Sequence, residues 1–205
     1  MLLDEAGDWP ADLLAVGTEG QGALARAIVG SVADQVVRSA PRPVLTVRGD
    51  PATPSTAPIE RVVVPTDGSA ASRAAAPFAI DLAASTGARV DLLHAIPPQL
   101  EDAARVDRPA AQTRQIREEV VEAALTPLVE DCRQAGVDHE RVVRRARARE
   151  AIADYADETD VDVIVMATHG RSGVERFLLG SVTDKVIRST DTPVVTIRPG
   201  DAAWA

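Results

Sequence analysis

The sequence predicts an α/β protein, because short apolar strands alternate with helical segments over residues 59–200 and one strand–loop–helix–strand unit occurs twice. Composition agrees: 45% of the 205 residues are hydrophobic but only 2% are aromatic, so the core is built from Ala, Val, Leu and Ile.

The repeat organises the chain. Residues 13–48 read LLAVGTEGQGALARAIVGSVADQVVRSAPRPVLTVR, and residues 163–198 read VIVMATHGRSGVERFLLGSVTDKVIRSTDTPVVTIR. They align without a gap, and Gly30/Gly180, Ser31/Ser181 and Pro43/Pro193 all stand at one offset. The second copy follows a long α/β stretch; the first follows only a dozen residues. A Pro/Thr/Ser-rich run separates them. This predicts a partial β-α-β unit over residues 1–50, a linker at 51–58 and a complete domain at 59–200.

Within the complete unit, Arg61–Pro65 is a short apolar run ending in a turn, as in a buried parallel strand. Ser69 to Thr86 carries apolar residues at helical spacing, with Ser69 as N-cap and Gly87 as stop. Arg89–Ala95 is the second strand, and a long helix lies between Ala110 and Ala135, ended by Gly136. Glu140–Arg147 is a third strand whose charge marks a sheet edge. Ala148–Glu158 is a short helix, Asp162–Ala167 the fourth strand, Ser181–Ser189 the last helix and Pro193–Arg198 the fifth strand. Such alternation predicts an open, Rossmann-like parallel five-stranded sheet with helices on both faces.

Charge and cysteine content narrow the function. The formal net charge of −9 argues against nucleic acid or an anionic membrane as partner. Cys132 is the only cysteine, which excludes an internal disulfide or a cysteine metal cluster and fits a reducing cytoplasm. The first residues lack a basic n-region, and no apolar run approaches the roughly 20 residues of a membrane span, so a cytoplasmic location is expected.

Two segments carry site chemistry. Ala167-Thr-His-Gly170 is followed after nine residues by Gly180-Ser181, which opens a helix whose N–H groups and dipole favour an anion. Arg171 and Arg176 stand on the intervening loop. Val64-Pro65-Thr66-Asp67-Gly68-Ser69 follows the first strand, and its carboxylate suits a ribose hydroxyl, an adenine edge or a Mg²⁺ shared with phosphate. Each feature also has a ligand-free reading. Ser181-x-x-Asp184 resembles a capping box, Gly180 a packing glycine, and Asp67 an Asx-turn residue. His94 reads as packing at a strand end, His139 as a surface residue and Cys132 as structural. There is no Walker lysine and no G-x-S-x-G elbow, so rapid hydrolysis is not expected.

The Val-Pro-Thr-Asp-Gly-Ser, Leu-Leu-His-Ala and Met-Ala-Thr-His-Gly-x9-Gly-Ser-Val segments resemble the universal stress protein family over residues 59–198, with 13–48 resembling the tail of a second domain. The resemblance implies strand order 3-2-1-4-5 and ATP binding, with or without Mg²⁺. It implies contacts from Pro65, Asp67, Ala95, Met166, Ala167, His169, Gly170, Arg171, Gly180, Ser181 and Val182, with no protein metal site. One position departs from the family motif G-x2-G-x9-G-[ST]: its first glycine is Ala167. The first copy keeps the whole pattern at Gly17, Gly20, Gly30 and Ser31, but has no counterpart of Asp67. The family also implies pairing of fifth strands, Val44–Val47 with Val194–Ile197 inside the chain or in a homodimer. Three functions follow: an ATP-binding regulatory protein, a scaffold of the same fold without nucleotide, and an adenine-nucleotide hydrolase.

Overall fold

The computed structural model describes residues 11–18, 31–48, 57–98, 110–169 and 179–199. Their order is β1 (Leu14–Gly17), α1 (Ser31–Ser39), β2 (Val44–Val47), β3 (Arg61–Pro65), α2 (Ala70–Arg73), α3 (Ala76–Thr86) and β4 (Arg89–Ala95). Then come α4 (Ala110–Gln134), β5 (His139–Arg144), α5 (Ala148–Glu158), β6 (Val163–Ala167), α6 (Ser181–Ser189) and β7 (Val194–Ile197).

One seven-stranded sheet runs β1-β2-β7-β6-β3-β4-β5. The complete unit alone reads 3-2-1-4-5 across β5, β4, β3, β6 and β7, with parallel neighbours. The sheet has seven strands rather than five because β2 pairs antiparallel with β7, in the register Val44↔Thr196, Leu45↔Val195, Thr46↔Val194. Each terminal strand thereby satisfies the other's exposed backbone groups.

That junction has near-twofold symmetry, as a repeat meeting itself must. Thr46 Oγ1 donates to the Val194 carbonyl at 3.0 Å, and Thr196 Oγ1 to the Val44 carbonyl at 3.3 Å. Above it, Arg38 pairs with Asp34 at 2.8 Å and Arg188 with Asp184 at 3.0 Å, with cross pairs at 4.0 and 3.7 Å. The Arg198 guanidinium also donates to the Arg38 carbonyl.

Strand alternation distributes the core over two layers. Val62, Val64, Val90 and Leu92 face Ala79, Ala83, Leu125 and Leu128 of α3 and α4. Val63, Leu93, Ile164 and Met166 face Ile152 and Tyr155 of α5 and Val186 and Ile187 of α6. With both faces covered, β3 and β6 are nearly continuous apolar runs.

A buried polar network seats α5. Asp91 on β4 is fully buried, pairs with Arg89 at 2.8 Å and accepts the Tyr155 hydroxyl at 2.7 Å. Burial first, and the hydrogen bond to the Asp91 carboxylate second, push the Tyr155 hydroxyl up to about 12. The Arg144 guanidinium lies 5.0 Å from the centre of the Tyr155 ring.

Three local expectations change. The helix expected over 69–86 divides into α2 and α3, because Pro77 has no N–H to continue the ladder across Arg73. The edge strand ends at Arg144, three residues early, before the turn into α5. His139 is half-buried rather than a plain surface residue, with Nδ1 3.0 Å from the Val137 carbonyl.

Candidate functional site

The carboxyl ends of β3, β4 and β6 meet where the chain leaves β3 for β4 on one side while β6 flanks it on the other. This reversal opens a crevice, the usual ligand position in an open parallel sheet. A cavity of about 290 Å³ occupies it.

Its β3 side is held by local hydrogen bonds. The Thr66 N–H donates to the Leu93 carbonyl at 2.8 Å, and Thr66 Oγ1 accepts the Gly68 N–H at 3.0 Å. Thr66 Oγ1 also lies 3.0 Å from Ser72 Oγ. Asp67 Oδ1 accepts the Ser69 N–H at 2.9 Å, so the Asx turn does form. Ser69 Oγ in turn accepts the Ser72 N–H at 3.1 Å, capping α2. Gly68 sits at φ +82°, and a side chain there would press on Ala124 of α4 at 3.2 Å. The turn thus presents Asp67 at the cavity wall, half-buried.

On the β6 side the chain folds back tightly. The Gly180 N–H donates to the Thr168 carbonyl at 2.7 Å, and a Cβ at Gly180 would stand 2.8 Å from that oxygen. Only glycine fits this approach. Gly180 is therefore the N-cap of α6, and Ser181 is the exposed first residue of the helix rather than its cap. Thr183 Oγ1 donates to the Ala167 carbonyl at 2.9 Å and ties the first turn of α6 to the end of β6. Among the described residues no side chain caps α6, and its first turn, at the positive end of the helix dipole, lines the cavity.

Nine of the sequence-derived residues line this space: Pro65, Asp67 and Ala95 from the β3 and β4 ends, and Met166, Ala167 and His169 with Gly180, Ser181 and Val182 from the other side. Gly170 and Arg171 lie outside the described residues. Six further lining residues escaped the sequence reading. Thr66 and Ser72 carry the turn; Leu93 and Thr183 line the floor; Ala148 and Ile152 come from α5. Thr66 stands inside the motif already singled out, so its position was signalled. Ile152 was not, because only the packing of α5 across the sheet brings it there.

Two histidines lie close by in different roles. His94 is buried with Nδ1 2.8 Å from the Thr66 carbonyl; a carbonyl only accepts, so Nδ1 carries the proton and the ring holds the loop. His169 has Nδ1 2.9 Å from Thr168 Oγ1, while its buried Nε2 has no hydrogen-bond partner among the described residues. A buried polar atom without a partner at a cavity wall is what a bound polar group would satisfy.

Apolar walls at Met166, Leu93 and Ile152, a carboxylate at one end and an uncapped helix start at the other suit a flat heterocycle joined to an anionic tail. Among the described residues no cluster of three His, Cys, Asp or Glu can hold a metal. Burial pushes the Cys132 thiol up to about 11, which leaves it unreactive. Among the described residues, no helix is long and apolar enough to cross a membrane.

Comparison with known proteins agrees with this architecture. The model of the universal stress protein family matches residues 1–48 and 58–198. A universal stress protein of Mycolicibacterium smegmatis is 31% identical over 195 residues, which cover 92% of this chain and 62% of that protein. The chain thus spans less than two thirds of that relative. A functionally unknown protein from Pseudomonas aeruginosa superposes with a TM-score of 0.70 at 18% identity, covering 97% of this chain and 66% of its own, and so supports the fold. A universal stress protein solved in complex with cAMP superposes with a TM-score of 0.53 at 28% identity, over 69% of this chain and 98% of its own. With the repeat, the strand order and the family model in agreement over both copies, the chain belongs to the universal stress protein family.

Proposed function

We propose that this chain is an adenine-nucleotide-binding regulatory protein of the stress response, in which ATP stabilises one conformation or assembly state. The observation that carries this is the crevice, where a carboxylate, apolar walls and an uncapped helix start line one cavity of about 290 Å³. In this reading Met166, Ala167 and Ala95 flank the base, and Asp67 serves the ribose or a nucleotide-borne Mg²⁺. Gly180, Ser181 and Val182 meet the phosphates through the α6 N-terminus, and His169 Nε2 finds a partner in the ligand. The solved relative in complex with cAMP supports the same class of ligand. Without a Walker lysine, and with Asp67 engaged in its turn, the reading is of a binder and not a rapid hydrolase. A cytoplasmic location follows from it, since that is where ATP is abundant.

Ala167 favours a second reading, a scaffold that acts without nucleotide, because it puts a methyl where the family motif has a glycine, and it is buried on the cavity wall. Thermal unfolding with and without Mg-ATP separates the two. Ligand at 100 times its Kd stabilises by about 2.7 kcal/mol, several degrees for a chain of this size. The wild type is expected to shift, while Asp67→Ala and Ser181→Asp are not. An aspartate at the first position of α6 is compatible with the helix yet repels phosphate. No shift of the wild type at millimolar ATP leaves the scaffold reading.

A further inference from the structure

A second, larger groove of about 550 Å³ opens beside the first cavity and shares Ala148, Ser181 and Val182 with it. Its remaining wall is basic: Arg147, Arg149, Lys185 and Arg188 line it against one carboxylate, Glu150. The cations differ in their engagement. Arg188 is held by Asp184 at 3.0 Å and Asp34 at 3.7 Å, and Arg149 lies 3.4 Å from Glu150. Arg147 and Lys185 are exposed and have no carboxylate partner among the described residues. In a chain of net charge −9 with a single lysine, a groove with this balance stands against the general field of the molecule. The first turn of α5 also lacks a side-chain cap, so two helix starts, those of α5 and α6, open onto the same groove.

We infer that this groove receives the distal phosphates of the nucleotide bound in the adjoining cavity, so that the site prefers adenine nucleotides with long phosphate chains. This rests on the nucleotide reading above. A chain anchored at Ser181 has a continuous way onward, because Ser181 and Val182 line both spaces. Arg147 and Lys185 then meet the third and later phosphates by charge-assisted hydrogen bonds.

Isothermal calorimetry with AMP, ATP and adenosine 5′-tetraphosphate at one Mg²⁺ concentration tests this on the full chain. Wild-type affinity is expected to rise with chain length. The Arg147→Gln/Lys185→Gln double variant is expected to bind AMP as the wild type does, and adenosine tetraphosphate about tenfold more weakly. An Arg147→Lys/Lys185→Arg variant, which keeps both charges, is expected to retain the preference, and matching thermal unfolding confirms that all three chains fold. Equal affinity of the wild type for AMP and the tetraphosphate, or equal tetraphosphate affinity in wild type and double variant, overturns the groove assignment and leaves the nucleotide reading standing. Failure of the wild type to bind any of the three nucleotides sinks both. Inorganic tripolyphosphate serves as the remaining arm. It is expected to compete with ATP but not with AMP, and binding alongside ATP overturns the inference by making the groove a separate polyphosphate site.

Discussion

Strands β1 and β6 occupy equivalent positions in the two copies of the repeat, yet they live in different surroundings. Every residue of β6 is buried, because β3 flanks it and helices cover both faces. In β1 half-buried and exposed residues alternate: Leu14 and Val16 pack on the α1 side, while Ala15 and Gly17 are exposed. No strand flanks β1 on its outer side among the described residues. The same contrast governs the site. The first copy keeps all three motif glycines, but among the described residues no turn like Pro65–Asp67 and no strand end like Leu93–Ala95 stands beside it. The second copy has Ala167 in the motif and still borders the cavity. A strand–loop–helix–strand unit carries the helix-start half of the cavity wall, and its neighbours supply the rest.

The largest test removes one side of the comparison. Deleting residues 1–50 uncovers the β7 edge that β2 now pairs. The truncated chain is expected to fold and to pair β7 with β7, so sedimentation should give twice the monomer mass in a concentration-dependent way. A folded monomer would show that the uncovered edge does not drive assembly.

Next in size is a matched pair. Ile164 is fully buried in β6, and Leu14, its counterpart, is half-buried in β1. Ile164→Ala is expected to cost about 3–4 kcal/mol and Leu14→Ala about 1 kcal/mol, read from urea unfolding of the full chain. Equal losses would mean that β1 is as well packed as β6.

The smallest effect probes the symmetric ion pairs. The hydrogen bond from Arg38, with the charges of Arg38 and Arg188, holds the Asp34 carboxyl below its ordinary value of 3.8 against a desolvation penalty. A carboxyl lowered on folding adds stability above 3.8 and loses it as pH falls through the folded value. Asp34→Asn is therefore expected to cost about 0.5 kcal/mol near neutral pH, less in high salt, and nothing well below pH 3. A difference from wild type that persists unchanged into acid would assign the loss to packing instead.

Much of the fold was legible in the residues, for reasons that can be named. The gapless repeat predicted two copies of one strand–loop–helix–strand unit, and apolar runs bounded by Pro and Gly located the buried strands. Ser69 and Gly87 marked helix ends that the backbone does use, since Ser69 caps α2 and the Gly87 N–H closes α3 on the Ala83 carbonyl at 2.8 Å. The helix break before Pro77 was also written in the sequence, but helical periodicity on either side masked it. The helix bounds Ser181–Ser189 read from the sequence hold, but the cap is Gly180, which a 2.8 Å approach to the Thr168 carbonyl reserves for glycine, and not Ser181 as the Ser-x-x-Asp spacing also allowed. Such an approach is a distance between two loops, and no local pattern encodes it.

The site divides along the same line. Its glycines and Asp67 belong to contiguous motifs whose backbone chemistry is local, and the family resemblance pointed to the strand-end residues that line the cavity beside them. Ile152 and Ala148 reach the cavity only because Tyr155, bonded to the buried Asp91, seats α5 across β4. Arg147 and Lys185 face one groove only because α5 and α6 pack side by side. Sequence by itself determined the alternation of strands and helices, the repeat and the Gly-Ser helix start, because each depends on neighbours along the chain. Tertiary structure alone decided that β2 pairs with β7 within one chain, that α5 closes the cavity and which charges converge, because those depend on residues brought together by packing across the sheet.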